Sequence, residues 1–180
     1  MSVETPAMQT VSADLYVEIA DFLFYEVALL ENNRLDEWLD LFTDDVRYEM
    51  PVRRNPQPRA SAAQSEAAVD AASFALFHDD KGSLAMRVRR IATGIAHAEL
   101  PASVTQRLIT NVRATHTANI DEFDVDSRFL VYQERRGRHH AEFLGARHDR
   151  IRRDKGRLRI AARRIKLAQT VLPTTISIFF

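Results

Sequence analysis

The sequence predicts a single-domain α+β protein in which helices come first and a strongly curved antiparallel sheet follows. The first 50 residues place apolar side chains at helical spacing, whereas alternation with period two dominates after Pro101. The formal net charge of zero divides in the same way. Residues 1–86 contain six basic and 16 acidic residues, and residues 87–180 contain 19 basic and nine acidic ones. Helices followed by a run of strands are typical of an α+β layer fold.

The N-terminal region is predicted to be a flexible tail over residues 1–13, followed by one domain over residues 14–180. The stretch from Met1 to Val11 is polar and lacks the basic and apolar segments of a signal peptide. Ser12 is a suitable cap for a helix from about Asp14 to Asn32. The apolar positions that define its buried face are Leu15, Ile19, Phe22, Leu23, Val27 and Leu30.

A second helix is predicted from Arg34 to Phe42, and the two helices are expected to pack as a hairpin. Thr43-Asp44-Asp45 is predicted to break the pattern before a strand from Val46 to Met50. A Pro- and Arg-rich exposed loop is expected over residues 51–59. Two further helices are predicted, from Ala60 to Leu76 and, with Ser83 as its cap, through Ala92.

Four long strands are predicted after Pro101 and are expected to form an antiparallel meander. They are Val104 to Asn119, Val125 to Arg135, His139 to Ile151 and Arg157 to Leu172, with turns at residues 121–124, 136–138 and 154–156. In the last strand Leu158, Ile160 and Ala162 alternate with Arg157, Arg159 and Arg163, which predicts one apolar face and one guanidinium face. The apolar segment Thr174 to Phe180 is predicted to be a further strand that is paired, covered or used in a subunit contact.

Composition excludes several kinds of chemistry. The chain has no Cys, so it can form no disulfide, no Cys-ligated zinc site, no iron–sulfur cluster of its own and no thiol nucleophile. No apolar stretch approaches the roughly 20 residues that a bilayer span needs. The strip from Arg135 to Arg164 contains 12 basic and three acidic residues. Because almost all of these bases are Arg and the other half of the chain is acidic, carboxylate pairing within and between subunits is favoured over nucleic-acid binding.

Two groups of residues resemble catalytic sets. His97 and Glu99, with a later His139, His140 or His148, supply the residue types of a two-His, one-carboxylate iron site. Six scattered histidines produce such a set by chance, so no metal site is predicted. The possible acid–base residues are Asp44, Asp45, Tyr16, Tyr25 and Tyr48. Turn hydrogen bonds are the more common role for the two aspartates, so no catalytic residue is predicted.

The order and spacing of several motifs resemble the small (β) subunit of aromatic-ring-hydroxylating dioxygenases, over residues 14–180. The matching stretches are Tyr25-Glu26-Val27-Ala28-Leu29-Leu30-Glu31, Trp38-Leu39, Asp44 to Arg53, Arg87 to Ile91, Arg107 to Val112, Arg147 to Arg153, Ile160 to Ile165 and Phe179-Phe180. This family has the cone-shaped NTF2-like (SnoaL-like, cystatin-like) fold, which ketosteroid isomerases and scytalone dehydratase share. His97 and Ala168-Gln169 depart from residues common in the family.

The resemblance implies a cytoplasmic, non-catalytic structural subunit that supports assembly of catalytic large subunits for cis-dihydroxylation in aromatic hydrocarbon catabolism. The large (α) subunit would hold a Rieske [2Fe–2S] cluster and a mononuclear Fe(II), with electrons from NAD(P)H through a reductase and a ferredoxin. The implied assembly is α3β3, with the small subunit in a trimeric arrangement. The alternatives are a stand-alone isomerase or dehydratase of the same fold, or a non-enzymatic ligand-binding module. Residues expected at the subunit interface are Trp38, Arg107, Asn111, Arg163 and Phe179.

Overall fold

The computed structural model describes residues 9–52, 75–92, 103–135 and 139–180. Within these ranges, three helices cover one face of a curved, open sheet of six strands, which confirms the predicted α+β class. The elements are α1 (Ala13–Glu31), α2 (Leu35–Asp40), α3 (Lys81–Ala92), β1 (Phe42–Pro51), β2 (Ala75–Asp79), β3 (Val104–His116), β4 (Glu122–Arg135), β5 (His139–Asp154) and β6 (Arg157–Leu167). The predicted loop at 53–59 and turn at 136–138 lie outside the described residues.

The N-terminal helices form where local sequence signals place them. The Ser12 side chain accepts a hydrogen bond from the Leu15 backbone N–H at 3.3 Å, which caps α1 as predicted. Helix α1 ends at Glu31 with Asn32 as its C-cap, and Asn33 adopts a positive φ of 54° that turns the chain towards α2. Helix α2 is shorter than predicted because Phe42 already belongs to β1.

Part of the predicted N-terminal tail pairs with the sheet. The Val11 backbone N–H donates to the Ala114 carbonyl oxygen at 3.3 Å, and the His116 N–H donates to the Gln9 carbonyl oxygen at 3.0 Å. Residues 1–8 lie outside the described part of the chain. Gln9 to Val11 therefore extends the edge of the sheet beside the end of β3.

The sheet has the strand order β2-β1-β6-β5-β4-β3. The predicted antiparallel meander of β3, β4, β5 and β6 is confirmed. Lys155 and Gly156 connect β5 to β6 with φ angles of 50° and 78°, as a tight hairpin turn requires. The predicted turn at 121–124 is wrong beyond Asp121, since β4 already begins at Glu122.

Strand β1 joins the meander by parallel pairing with β6, which the sequence did not predict. The predicted break at Thr43-Asp44-Asp45 is wrong as a strand boundary but coincides with an interruption of the ladder. Phe42 pairs with Ile160 and Arg47 pairs with Ala162, so a step of five residues on β1 faces a step of two on β6. The extra residues bulge, and Asp44 and Asp45 are exposed there.

The described region around residue 80 corrects two predictions. The predicted helix over 60–76 is wrong at its end, because Ala75 and Leu76 begin strand β2, which pairs with β1. Residues 60–74 are outside the described ranges. Helix α3 begins before Ser83, and the Asp80 carboxylate accepts the Ser83 backbone N–H at 2.8 Å. Asp80 thus performs the capping role predicted for Ser83.

A bulge in β6 reverses the predicted faces of that strand. Arg150 on β5 pairs with Ala162 and the next residue, Ile151, pairs with Ile160, which leaves Ala161 as an extra residue. One inserted residue moves all later side chains to the opposite face of a strand. Arg163 therefore points into the core, and the prediction that it lies with Arg157 and Arg159 on one guanidinium face is wrong.

The last residues fill the concave side of the sheet. The predicted strand from Thr174 to Phe180 is wrong, since this segment makes no ladder. Instead Ile178, Phe179 and Phe180 are buried. Phe180 packs against Phe129 and Phe143, with ring centroids 5.4 Å away in both cases.

No helix in the described ranges is long and apolar enough to cross a membrane.

Candidate functional site

The concave side of the sheet contains four fully buried charged side chains, which we call the interior charge cluster. They are Glu26 on α1, Arg147 and Asp149 on β5, and Arg163 on β6. Two carboxylates and two guanidinium groups make the cluster neutral. Buried charges are tolerated when they are paired and hydrogen-bonded. Each of the four has an oppositely charged partner, although Arg147 leaves its Nε and Nη2 atoms without a hydrogen bond.

Arg163 is the centre of the cluster. Its guanidinium binds Asp149 through two parallel hydrogen bonds of 2.8 and 2.9 Å, and it also donates to both carboxylate oxygens of Glu26. Arg147 donates to the Glu26 Oε2 atom at 3.2 Å. Trp38 on α2 donates its indole N–H to Glu26 Oε1 at 3.1 Å. Glu26 therefore links α1 to α2, β5 and β6.

These contacts fix the protonation state of the cluster. Burial by itself raises the pKa of Glu26, but the charges of Arg163 and Arg147 and the hydrogen bonds outweigh burial and lower it to about 2. Burial lowers the pKa of Arg163, but the Asp149 and Glu26 carboxylates more than offset this and hold it well above its ordinary value. Glu26 is thus ionised near neutral pH and poorly suited to act as a general base.

Tyr48 and two arginines bind the backbone of the last two residues. The Tyr48 hydroxyl donates to the Phe180 carbonyl oxygen and accepts from the Phe180 N–H, both at 3.1 Å. Arg163 donates to the same carbonyl oxygen at 2.9 Å, and Arg107 donates to the Phe179 carbonyl oxygen at 3.1 Å. Burial raises the pKa of Tyr48 to about 12, so its hydroxyl stays neutral.

The interior is consequently occupied by the chain itself. Among the described residues, Glu26, Asp149, Arg163 and Tyr48 direct their hydrogen bonds to one another, to neighbouring side chains or to the backbone of Phe180. A groove of about 520 Å³ does occur in the described residues, but it lies outside the interior charge cluster, between β2, α3 and the segment after β6. Its lining residues are Leu76, Phe77, Arg87, Leu172, Thr174, Thr175 and Ile176.

The structure brings four of the five predicted interface residues together inside the chain. Trp38, Arg107, Arg163 and Phe179 are all buried, and the Trp38 and Phe179 rings stack with centroids 4.4 Å apart. Asn111 alone of the five is exposed. It lies at a bulge in the edge strand β3 and has a φ of 52°. An interface role for these residues stays a prediction, and the buried four can contribute only by supporting the surface.

The possible acid–base residues do not converge. Asp44, Asp45, Tyr16 and Tyr25 are exposed, and Asp45 is bound to Arg152 at 3.0 Å. Only Tyr48 of that group reaches the interior. Its hydroxyl is engaged by Phe180, as described above.

His140 and His148, the candidate iron ligands among the described side chains, are eight residues apart on β5. His148 lies on the outer face of the sheet with its Nδ1 atom 3.0 Å from Asp126, and His140 stacks on Tyr132 with centroids 6.2 Å apart. His97, Glu99 and the His139 side chain lie outside the described residues. Within the described ranges, no three His, Asp or Glu side chains are placed to hold a metal ion.

Sequence reasoning missed Glu26, although a signal was present. Glu26 falls at the spacing of Ile19, Leu23 and Leu30 on the buried face of α1. A carboxylate on that face requires a buried cation, and the Arg-rich second half was the place to look for one. That Arg163 is this cation follows from the bulge in β6, and no local sequence signal marks that bulge.

A family model described as the ring-hydroxylating β subunit matches residues 25–174. The chain belongs to this family. It is 37% identical over 164 residues to the β subunit of 3-phenylpropionate/cinnamic acid dioxygenase from Photorhabdus laumondii, covering 90% of this chain and 89% of the relative. It is 35% identical over 173 residues to the β subunit of benzene 1,2-dioxygenase from Pseudomonas putida, covering 94% and 91%.

Solved structures confirm the fold expected for this ring-hydroxylating β subunit family. The chain matches naphthalene 1,2-dioxygenase with indole bound in the active site, with a TM-score of 0.81, 20% identity and coverage of 94% of this chain and 88% of that one. It also matches a scytalone dehydratase-like protein from Novosphingobium aromaticivorans, with a TM-score of 0.62, 15% identity and coverage of 87% and 85%. The cone-shaped NTF2-like fold is therefore confirmed.

Proposed function

We propose that this chain is a non-catalytic structural subunit of the terminal oxygenase of an aromatic-ring dioxygenase. Its function is to hold catalytic large subunits together for cis-dihydroxylation in the catabolism of aromatic hydrocarbons. The filled interior is the observation that carries this proposal. Phe179 and Phe180 occupy the concave side of the sheet. The polar atoms of Glu26, Tyr48 and Arg163 are hydrogen-bonded to other groups of the same chain.

The pairing of the acidic and basic halves supports a structural role. Carboxylates of the first half bind arginines of the second half at Glu26–Arg147, Glu26–Arg163, Asp45–Arg152 and Glu18–Arg153. Six of the 12 bases in the Arg-rich strip thus pair with carboxylates of their own chain within the described residues. This use of Arg fits a rigid scaffold better than a surface that attracts a polyanion.

The redox groups belong on the partner in this proposal. A Rieske cluster needs Cys as well as His ligands, and the chain has no Cys. We assign the [2Fe–2S] cluster and the mononuclear Fe(II) to the large subunit, with electrons arriving from NAD(P)H through a reductase and a ferredoxin. The proposed assembly is a cytoplasmic α3β3 hexamer.

Co-expression tests the proposal directly. The chain is produced with and without a candidate large subunit of a ring-hydroxylating dioxygenase. Complexes are purified at low and at moderate salt, and their mass is measured by light scattering. We expect a complex with equal numbers of large and small chains. Turnover of benzene, biphenyl or 3-phenylpropionate to a cis-dihydrodiol is expected only from the complex supplied with its electron donors. Failure to co-purify at both salt concentrations, or dehydratase or isomerase turnover by the chain alone, would contradict the proposal.

Two variants distinguish a direct contribution to the interface from an indirect one among the five predicted interface residues. Asn111→Asp keeps the side-chain size, tolerates a positive φ and adds a charge to the exposed bulge. We expect it to weaken binding of the large subunit without changing the thermal midpoint of the chain. Trp38→Ala removes a buried ring and should lower both the thermal midpoint of the chain and its binding of the large subunit. Unchanged binding by Asn111→Asp would remove Asn111 from the interface.

A further inference from the structure

Arg147 has the fewest hydrogen bonds of the two arginines in the interior charge cluster. Arg163 uses all five of its N–H groups, four on the two carboxylates of the cluster and one on the Phe180 carbonyl oxygen. Arg147 donates to Glu26 at 3.2 Å, but its Nε and Nη2 atoms have no hydrogen-bond partner in the described part of the chain. These two atoms form one edge of the planar guanidinium. A whole donor edge is therefore unpaired on a side chain that is only 1% exposed.

A second unpaired polar group lies opposite Arg147 in the sheet. Ser127 on β4 is the ladder partner of Arg147 on β5, and directly opposite residues of an antiparallel pair project to the same face. Ser127 is fully buried, and its hydroxyl also has no hydrogen-bond partner within the described ranges. Buried polar groups are nearly always hydrogen-bonded, to protein or to ordered water. A hydroxyl and two N–H groups without partners at one place therefore indicate a bound molecule.

The sheet is irregular at the same place. Thr110 on β3 pairs with Arg128 and Arg113 pairs with Asp126, so a step of three residues on β3 faces a step of two on β4. Ser127 is the β4 residue inside that step. A bulge leaves one residue unpaired and disrupts the ladder locally. The irregularity of the sheet thus coincides with the unpaired polar groups.

Asp149 supplies the remaining acceptor. An ionised carboxylate can accept about four hydrogen bonds. Glu26 already accepts four, from Trp38, Arg147 and Arg163. Asp149 accepts two among the described residues, both from Arg163. Its Oδ2 atom lies 3.7 Å from Arg147 Nε, which is too long for a direct hydrogen bond and leaves this oxygen available to a bridging molecule.

We propose that one enclosed water molecule binds between Arg147, Ser127 and Asp149. It accepts hydrogen bonds from Nε and Nη2 of Arg147, and it donates to the Ser127 hydroxyl and to Asp149 Oδ2. Internal waters typically make about three hydrogen bonds to groups that are otherwise unpaired, and this site offers four. The inference concerns the interior of the chain and does not rest on the proposed function.

Water fits this site better than an anion does. A halide would accept from the guanidinium edge, but it would lie against the Asp149 carboxylate in a cluster that is already neutral. Water can donate to that carboxylate while it accepts from Arg147. The site holds a single molecule and not bulk solvent, so it brings no salt ions into the cluster.

A crystal structure of the chain, alone or with a large subunit, tests the site at a resolution that shows ordered water. We expect a peak within hydrogen-bond distance of the Arg147 donor edge and of Ser127 Oγ or Asp149 Oδ2. Direct hydrogen bonds from the Arg147 donor edge to Asp149 or Ser127, with no peak between them, would overturn the inference. So would an anomalous peak at this position in a crystal soaked in bromide, because it would identify an anion site.

Oxygen-17 magnetic relaxation dispersion counts long-lived internal waters in solution and provides a second test. Ser127→Val replaces the hydroxyl by methyl groups, so the count should fall by one. Thr115→Val is the matched control, since Thr115 is also buried but its hydroxyl donates directly to the Asp124 carbonyl oxygen at 3.4 Å. The control should keep the count of the unaltered chain. Circular dichroism checks that both variants are folded, and the crystal structure of the unaltered chain decides if Ser127→Val is not. An unchanged count in folded Ser127→Val, or an equal fall in the control, would contradict the site.

Discussion

Glu26 determines how the interior is held together at the level of single residues. Its carboxylate is buried and binds Trp38, Arg147 and Arg163, so its loss would leave two buried guanidinium groups with only Asp149. Breaking a buried ion pair by removing one partner costs far more than the pair contributes relative to an apolar replacement. We therefore expect the cluster to fix how α1 packs against the sheet. Removing one charged partner and leaving the others should destabilise the folded chain.

Glu26→Gln is expected to lower the free energy of unfolding by about 3–5 kcal/mol, because it leaves uncompensated positive charge in the core. Urea denaturation of both proteins measures this difference. Glu18→Gln is the matched control, since Glu18 is on the same helix and binds Arg153 at 2.7 Å from a half-exposed position. Exposed pairs contribute up to about 1 kcal/mol, so the control should change little. Equal losses in the two variants would contradict the role assigned to the cluster.

The low pKa of Glu26 also predicts a pH dependence. The pKa is about 2 in the folded chain and 4.5 ordinarily, so the unfolded chain binds this proton more tightly. The stability that Glu26 contributes is complete above about pH 4.5 and is lost as the pH falls towards 2. Urea midpoints measured across that range should fall more steeply for the unaltered chain than for Glu26→Gln. Parallel curves would show that Glu26 is not the titrating group.

At the level of elements, the segment after β6 replaces the ligand that an open cone would hold. It makes no ladder, yet its last residues are fixed by side chains from β1, β3 and β6 through Tyr48, Arg107 and Arg163. Phe180 adds contacts to Phe129 on β4 and Phe143 on β5. One short segment therefore connects five of the six strands.

Phe180→Ala should lower the free energy of unfolding by about 3–5 kcal/mol, as expected for loss of a buried aromatic ring. Thermal and urea unfolding measure the loss. Val171→Ala, in the same segment but 82% exposed, should stay within about 0.5 kcal/mol of the unaltered chain. A small effect of Phe180→Ala would mean that the segment lies loosely against the core in solution.

Some elements were predictable because their signals are local. Ser12 caps α1 and Lys155-Gly156 closes the β5–β6 hairpin as the residue types indicate. The failures have nonlocal causes. Ala161 is an ordinary apolar strand residue, and nothing near it reveals the bulge that turns Arg163 inward. The pairing of β1 with β6 likewise depends on tertiary packing. So does the burial of Trp38, Arg107, Arg163 and Phe179, which the local sequence does not reveal.

At the level of the whole molecule, the acidic N-terminal half and the basic C-terminal half pair their charges in two layers. The interior layer is the interior charge cluster. The outer layer is a row of partly exposed ion pairs across β1, β5 and β4. Its members are Asp45, Arg152, Glu122, Arg150 and Asp124. The two layers should respond differently to salt, since solvent-exposed pairs are screened and buried ones are not.

Asp45→Asn tests the outer layer, because it removes the partner of Arg152 at 3.0 Å. Its small destabilisation at low salt is expected to vanish near 1 M salt, where the Debye length is about 3 Å. The penalty of Glu26→Gln should persist under the same conditions. Urea titrations of both variants at low and high salt measure the two penalties. A penalty that vanished for Glu26→Gln would mean that water reaches the cluster.

The interior charge cluster also has a consequence during synthesis on the ribosome. Glu26 is made 121 residues before Arg147 and 137 residues before Arg163, and Tyr48 is made 132 residues before Phe180. Helix α1 therefore leaves the ribosome with an apolar face and a carboxylate whose partners do not yet exist. Contacts this distant in the chain form late and slowly. Supplying chaperones that bind exposed apolar segments during synthesis should therefore raise the soluble yield of this protein.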